Sequence, residues 1–155
     1  MKNIVVLITI IGLFVFSSSC EKQRLPEGEY EVTVTIEADN TTFNPCYGSL
    51  NILESNNNYL IIENSWYGYS YDYGNDTLYR NGNDFTGILQ WRGGNHCIGN
   101  VGGFDNFNIS GTISKEKGVY YLKGTLTTLY IIPNPYTETI DTFDATGTFE
   151  FKSIF

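Results

Sequence analysis

Few residues in this sequence favour helices. Alanine, the strongest helix former, occurs only at Ala38 and Ala145, whereas the chain has 16 glycines and a similar abundance of asparagine, both of which favour turns. No segment shows a sustained hydrophobic period of 3.6 residues. These absences exclude a helical bundle and predict an all-β chain.

Groups for catalysis and metal binding are also scarce. A Ser-His-Asp triad could form only around His96, the single histidine, which lies in a glycine-rich stretch. Without a C-x-x-C unit, the chain lacks the ligands of a closed zinc site. We therefore predict no enzymatic activity, no cofactor and no metal site. Two lesser alternatives stay open, a carboxylate pair among Asp72, Asp76 and Asp84 and a calcium site near Asp76 and Asp84.

Positive charge is low, with 9 Lys and Arg residues against 17 Asp and Glu residues and a net charge of −8. The basic residues are scattered and form no cluster, whereas nucleic-acid recognition needs a basic patch. Nucleic acid is therefore not an expected partner. Charged residues make up only 17% and aromatic residues 15% of the 155 residues, which is typical of one folded domain and not of a disordered chain.

The longest apolar run, residues 4–16, is too short for a transmembrane helix, which needs about 20 residues. Lys2 precedes the run and small residues follow it, which is the layout of a secretory signal peptide. We predict that residues 1–19 are removed. The mature chain would then carry a net charge of about −9, because the removed part contains Lys2 and no acid.

The sequence Ser17-Ser18-Ser19-Cys20 resembles the lipobox of bacterial lipoproteins, although the commonest form of that motif has leucine in place of Ser17. The resemblance implies that Cys20 is acylated on its sulfur and, after cleavage, on its amino group. Two or more acyl chains anchor a protein stably to a membrane. The resemblance thus implies a lipid-anchored protein of the cell envelope, at the outer membrane of a Gram-negative bacterium. An ordinary secretory signal with an incidental cysteine is the alternative.

Residues 20–27 are then the lipidated cysteine and a short polar tether, and residues 28–155 are the folded domain. Cys46 and Cys97 are the other two cysteines, each in a turn-rich stretch. Because exported proteins enter an oxidising compartment, we predict a disulfide between them. Two separate, buried thiols are the alternative.

Residues 28–155 show the two-residue alternation of half-buried strands, as in residues 30–37 and 142–152. Turn motifs separate these runs, with Asn81-Gly82 the strongest hairpin motif. The pattern predicts a single antiparallel domain of eight to ten strands, either a barrel or a two-layer sandwich. Gly28 with Tyr30 and the stretch Thr146–Phe149 resemble lipocalin-like lipoprotein barrels, which favours an up-and-down barrel.

Four tyrosines recur at every second position opposite Trp66, namely Tyr67, Tyr69, Tyr71 and Tyr73. Such a row can stack on a sugar or line the mouth of an apolar pocket. The alternative is that these tyrosines form one wall of the β core. The resulting functional hypothesis is a non-enzymatic β domain that binds a small molecule, a glycan or another envelope protein. The competing hypothesis is a structural or protein-interaction lipoprotein without a ligand pocket.

Overall fold

A computed structural model of the chain describes residues 24–38, 41–65, 74–90, 103–133, 136 and 139–155. Within these ranges the backbone forms ten strands and no helix, so none that is long and apolar enough to cross a membrane. The strands are β1 (Gly28–Ala38), β2 (Thr41–Thr42), β3 (Cys46–Ser55), β4 (Tyr59–Ser65), β5 (Asn75–Asn81), β6 (Asp84–Leu89), β7 (Gly103–Phe104), β8 (Phe107–Glu116), β9 (Val119–Pro133) and β10 (Ile140–Ser153).

Eight of the described strands close into an antiparallel barrel in the order β10-β1-β3-β4-β5-β6-β8-β9, with β9 pairing again with β10. The first and last strands close it, in register from Tyr30 opposite Ser153 to Ala38 opposite Ala145. The two-residue strand β2 pairs with β1, and β7 pairs with β9 beyond the end of β8. The prediction of one antiparallel barrel domain is confirmed.

The middle of the barrel is filled by inward-facing side chains. The rings of Phe85 and Phe149 lie 5.9 Å apart, and those of Phe149 and Phe151 lie 4.8 Å apart. An eight-stranded barrel has an interior just wide enough for side chains to fill. Every barrel strand contributes at least one buried apolar residue, for example Val32, Leu50, Leu60, Leu78, Phe85, Ile109, Leu122 and Phe149.

Inward-facing glycines allow neighbouring strands to approach closely. A Cβ atom added at Gly124 in β9 would lie 2.0 Å from the carbonyl oxygen of Ser110 in β8. One added at Gly147 in β10 would lie 2.1 Å from the carbonyl oxygen of Thr35 in β1. Since no larger residue fits at either position, both glycines are required by the closed barrel.

The two ends of the barrel differ. One end, the short-turn end, carries the tight connections 56–58, 82–83 and 117–118 and the start of β1. The other, the long-loop end, carries the connections 39–45, 66–74, 90–106 and 134–139. The predicted Asn-Gly hairpin lies at the short-turn end, where Gly82 adopts a φ of 67°.

One boundary differs from the prediction. Sequence reasoning placed Cys46 in a loop between Ala38 and Gly48, but β3 begins at Cys46, which lies opposite Val34 and is 2% exposed. The apolar alternation of β3 starts at this cysteine, and Pro45 just before it obscures the start in the sequence.

Arg80 joins two turns at the short-turn end. It faces the interior of the barrel and is buried. Its guanidinium donates to the carbonyl oxygens of Asn56 at 2.8 Å and Gly82 at 3.1 Å. Burial lowers the pKa of this guanidinium from its usual value. Arg80 therefore ties the β3–β4 turn to the β5–β6 turn with charge-assisted hydrogen bonds.

Burial, with a smaller contribution from Tyr120, raises the pKa of the Tyr30 phenol well above its usual 10.0, and its hydroxyl donates to the carbonyl oxygen of Pro26 at 2.9 Å. We expect stability to fall as the pH rises above about 10, because Tyr30 ionises there only in the unfolded chain. Tyr30→Phe should reduce this fall by up to about 1.4 kcal/mol per pH unit. Urea unfolding of both proteins from pH 9 to pH 11.5 measures the difference, and equal slopes would contradict the prediction.

Candidate functional site

The long-loop end brings together most of the segments singled out from the sequence. Cys46 begins β3 at this end. The connection containing Cys97 begins and ends at this end, between β6 and β8. The connection containing the four tyrosines, between β4 and β5, also begins and ends here. Cys20, Tyr67, Tyr69, Tyr71, Tyr73, His96 and Cys97 themselves lie outside the described residues. Their lipidation, ligand-binding and disulfide roles therefore stay predictions.

An aromatic cluster formed by Phe43, Phe104, Phe107 and Tyr130 closes the interior at the long-loop end. The ring of Phe43 lies 5.6 Å from that of Phe104 and 5.0 Å from that of Tyr130, both with edge-to-face geometry. Phe104 also contacts Tyr130 at 5.3 Å and Phe107 at 6.0 Å. Phe104 and Phe107 are buried, whereas Phe43 and Tyr130 are only partly buried. The cluster thus exposes part of its aromatic surface at this end.

Hydrogen bonds attach the described parts of the long connections to the barrel. The backbone N–H of Phe43 donates to the carbonyl oxygen of Ile36 at 2.9 Å. The backbone N–H of Asp105 donates to the carbonyl oxygen of Leu129 at 3.0 Å, and the Thr128 hydroxyl donates to the carbonyl oxygen of Asp105 at 3.1 Å. Because the backbone on both sides of the aromatic cluster is fixed, the cluster is a preformed surface.

A buried carboxylate lies beside this end. Asp76, near the start of β5, is 5% exposed, and its Oδ2 accepts the backbone N–H of Gln90 at 3.1 Å. This hydrogen bond joins the start of β5 to the residue that follows β6. A buried carboxylate that accepts a backbone N–H is held in a fixed orientation, so Asp76 positions the beginning of the 90–106 connection.

Asp76 and Asp84 do not form a joint site. Asp76 lies at the long-loop end of β5, whereas Asp84 is exposed at the short-turn end of β6. Asn81, the partner of Asp84, is five residue steps along β5 from Asp76, which corresponds to about 17 Å. The two catalytic carboxylates of a glycosidase are at most about 9.5 Å apart, so this separation excludes such a pair. It also excludes a shared calcium site, because each calcium ligand lies about 2.4 Å from the ion. Among the described residues, no three His, Cys, Asp or Glu side chains form a group that could hold a metal.

In the part of the chain that the structure describes, two shallow grooves lie on the outer face of the barrel. The one nearer the long-loop end has a volume of ≈ 250 Å³ and is lined mainly by carboxylates, amides and hydroxyls, those of Asp105, Asn106, Asn108, Thr127, Thr128 and Asp144. The other has a volume of ≈ 410 Å³ and lies across β1, β10 and β9, with the hydroxyls of Thr35, Thr125, Thr127, Thr146 and Thr148. Such groups can form hydrogen bonds with a hydroxyl-rich ligand. The first groove adds polar groups to the end that carries the aromatic cluster.

Sequence reasoning missed the aromatic cluster and the buried charges. Phe43 lies in a stretch interpreted as a loop and Phe104 directly follows another such stretch, and only their aromatic character indicated burial. Asp76 and Arg80 share the two-residue period with Leu78, so the alternation itself places both charged residues on the inner face. The two-residue alternation around Leu78 was therefore the sequence signal that could have predicted these two buried charged residues.

Comparison with known proteins adds no identification, since the chain matches no protein-family model and no curated protein.

Proposed function

We propose that this protein is a lipid-anchored, non-enzymatic protein of the cell envelope that binds a small molecule or a glycan at the long-loop end of its barrel. The observation that carries the proposal is the asymmetry of the fold. The described short turns and the start of β1 lie at one end, whereas the long connections lie at the other. Binding residues are commonly carried on loops that a rigid scaffold positions.

The chemistry of the long-loop end supports this proposal. The partly exposed rings of Phe43 and Tyr130 offer an apolar surface, and the groove beside Asp105 and Asp144 offers hydrogen-bond acceptors. Aromatic faces flanked by acceptors suit a sugar ring, which presents C–H groups on its faces and hydroxyls at its edge. The predicted row of tyrosines in residues 66–73 stays part of the proposal, since the connection that contains it begins and ends at this end of the barrel.

The filled interior supports the competing function. The packed rings of Phe85, Phe149 and Phe151 occupy the middle of the barrel, where a ligand carried in the lumen would have to lie. A structural or protein-interaction lipoprotein needs no cavity inside the barrel, so a filled interior is compatible with that function. Copurification from the native membrane distinguishes the two functions. The binding function predicts a small molecule or glycan with the barrel, and the competing function predicts a protein.

Cys20→Ala should release the protein from the membrane, because the acyl chains are the proposed anchor. Cell fractionation with a metabolically labelled fatty acid measures both location and acylation. Ser17→Ala is the matched control, since it changes a neighbouring residue but keeps the cysteine. Equal membrane retention of the Cys20→Ala variant, with no label in the unsubstituted protein, would show that Cys20 is not an anchor.

Tyr69→Ala should weaken ligand binding with little loss of stability if the tyrosines form a binding surface. Mass spectrometry of molecules that copurify from the native membrane identifies the ligand class, and calorimetry with that class measures the affinity. Tyr79→Ala is the matched control, because Tyr79 is 66% exposed on the outer face of β5. A loss of about 3–5 kcal/mol of stability in the Tyr69→Ala variant, with unchanged binding, would instead identify the tyrosines as a core wall.

A further inference from the structure

The segment that precedes β1 is packed into the barrel. Leu25 is only 1% exposed and belongs to the core, although the sequence analysis assigned it to the tether. The carbonyl oxygen of Pro26 accepts the Tyr30 hydroxyl at 2.9 Å. The ring of Phe155 lies 5.6 Å from that of Tyr30, and a Cβ atom added at Gly28 would lie 2.9 Å from the Phe155 ring. Leu25 is therefore a fixed point at the short-turn end.

This fixed point leaves a very short linker. Only residues 21–24 separate Cys20 from Leu25. Five fully extended residue steps span at most about 18 Å. A ten-residue strand tilted by about 40° rises about 25 Å along a barrel axis. A linker of about 18 Å therefore lets the short-turn end lie at the membrane surface. It is too short to pass along the barrel, which is about 25 Å high, so the long-loop end cannot face the membrane.

Charge is distributed in the same direction. All described basic residues lie in the short-turn half of the barrel or beside it: Arg24, Arg80, Lys115, Lys117, Lys123 and Lys152. The short-turn half also carries seven acidic residues and is therefore close to neutral: Glu27, Glu29, Glu31, Glu54, Asp84, Glu116 and Glu150. In the long-loop half of the described barrel every charged residue is acidic: Glu37, Glu63, Asp76, Asp105, Asp141 and Asp144. An anionic membrane surface would therefore repel the long-loop half more strongly than the short-turn half.

Exposed apolar side chains add to the short-turn end. Ile154 and Phe155 follow β10 and are 49% and 61% exposed, beside the fixed segment at Gly28. Apolar groups exposed next to a lipid anchor can enter the headgroup region, where burial of their surface is favourable. The linker length and the charge distribution thus favour the same end, and Ile154 and Phe155 are exposed there beside the anchored segment.

We propose that the barrel stands on the membrane with its short-turn end against phospholipid headgroups and its long-loop end directed away. The inference rests on the lipid anchor at Cys20 proposed above. It assigns the short-turn end, with Lys117, Ile154 and Phe155, as a membrane-contact surface. The candidate ligand surface is then held at the far side of the barrel, open to the aqueous compartment.

Quenching by headgroup-spin-labelled lipids measures this orientation. Lys117→Cys and Tyr136→Cys, each labelled with a thiol-reactive fluorophore, report on the short-turn and long-loop ends, since Lys117 lies in the β8–β9 turn and Tyr136 is 94% exposed between β9 and β10. The acylated chains are reconstituted in phosphatidylcholine vesicles with a quarter of phosphatidylglycerol. We expect severalfold stronger quenching at position 117 than at position 136. Equal quenching, or stronger quenching at position 136, overturns the proposal.

Two controls separate the orientation from the anchor. Insertion of a flexible stretch of twelve glycines and serines after Gln23 should largely abolish the difference, because it adds roughly 20 Å of reach. A persistent difference would show that the linker does not set the orientation. A chain with six histidines directly before position 20 and Cys20→Ser, bound to nickel-chelating lipids, should show the same difference without acylation. If that chain is oriented while the native chain carries no acyl group, the anchor hypothesis fails and the geometry stands.

Discussion

Gly124→Ala should destabilise the barrel by about 3 kcal/mol, at the upper end of the range for overpacking. The added Cβ would lie 2.0 Å from the Ser110 carbonyl oxygen and 2.6 Å from the Cα of Gly111, so backbone and not a flexible side chain would have to move. Gly124 lies opposite Gly111 in the β8–β9 pair. Displacement of β9 would disturb its pairing with β8 and β10 together. Urea unfolding followed by circular dichroism measures the change.

Gly103→Ala is the matched control for this substitution. Gly103 is also in a strand next to β9, but a Cβ atom there meets nothing within 4 Å. We expect its stability to change by no more than about 0.5 kcal/mol. If the two variants unfold at the same urea concentration, the close approach of β8 and β9 at Gly124 does not limit the fold.

Cys46→Ala should lower the free energy of unfolding by about 4 kcal/mol under oxidising conditions if Cys46 and Cys97 form the predicted disulfide. The bond would close a loop of about 50 residues, and the chain-entropy argument gives this magnitude for the constraint on the unfolded chain. The structure describes one of the two cysteines. Cys46 is buried at the long-loop end, and the connection containing Cys97 begins and ends at the same end.

A double-mutant comparison tests the pairing. Cys97→Ala should cost about as much as Cys46→Ala, and the double variant should cost little more than either one, because one bond is lost in all three proteins. Reduction should destabilise the unsubstituted protein and leave the double variant unchanged. Additive losses, together with insensitivity to reductant, would indicate two separate thiols.

The alternation of side chains was sufficient to predict the barrel strands. In β10, Ala145, Phe149 and Phe151 face the interior as expected, and Asn81-Gly82 forms the predicted hairpin. The pairing of β1 with β10 was not determined by local pattern, because both strands could also serve as edges of a sandwich. Closure depends on long-range packing, which no two-residue period encodes.

The candidate site was less predictable for physical reasons. Phe43 and Phe104 meet only because two separate connections return to the same end of the barrel. Leu25, just before β1, is buried in the core, and the contact between the rings of Tyr30 and Phe155 exists only after β1 and β10 have paired. Contacts that a closed fold creates between distant segments leave little trace in local sequence.

The β1–β10 pairing also determines the order in which the chain can fold. Val34 pairs with Phe149, about 115 residues later in the sequence, whereas the other seven barrel pairs join strands that are much nearer in the sequence, three of them through turns of two or three residues. Contacts of such large sequence separation form slowly, because the entropy of closing the loop must be overcome first. The hairpins β3–β4, β5–β6 and β8–β9 can form early, while β1 keeps an unpaired edge until β10 arrives. Until then that edge is open to other chains, so a chaperone that shields β1 would raise the yield of folded protein.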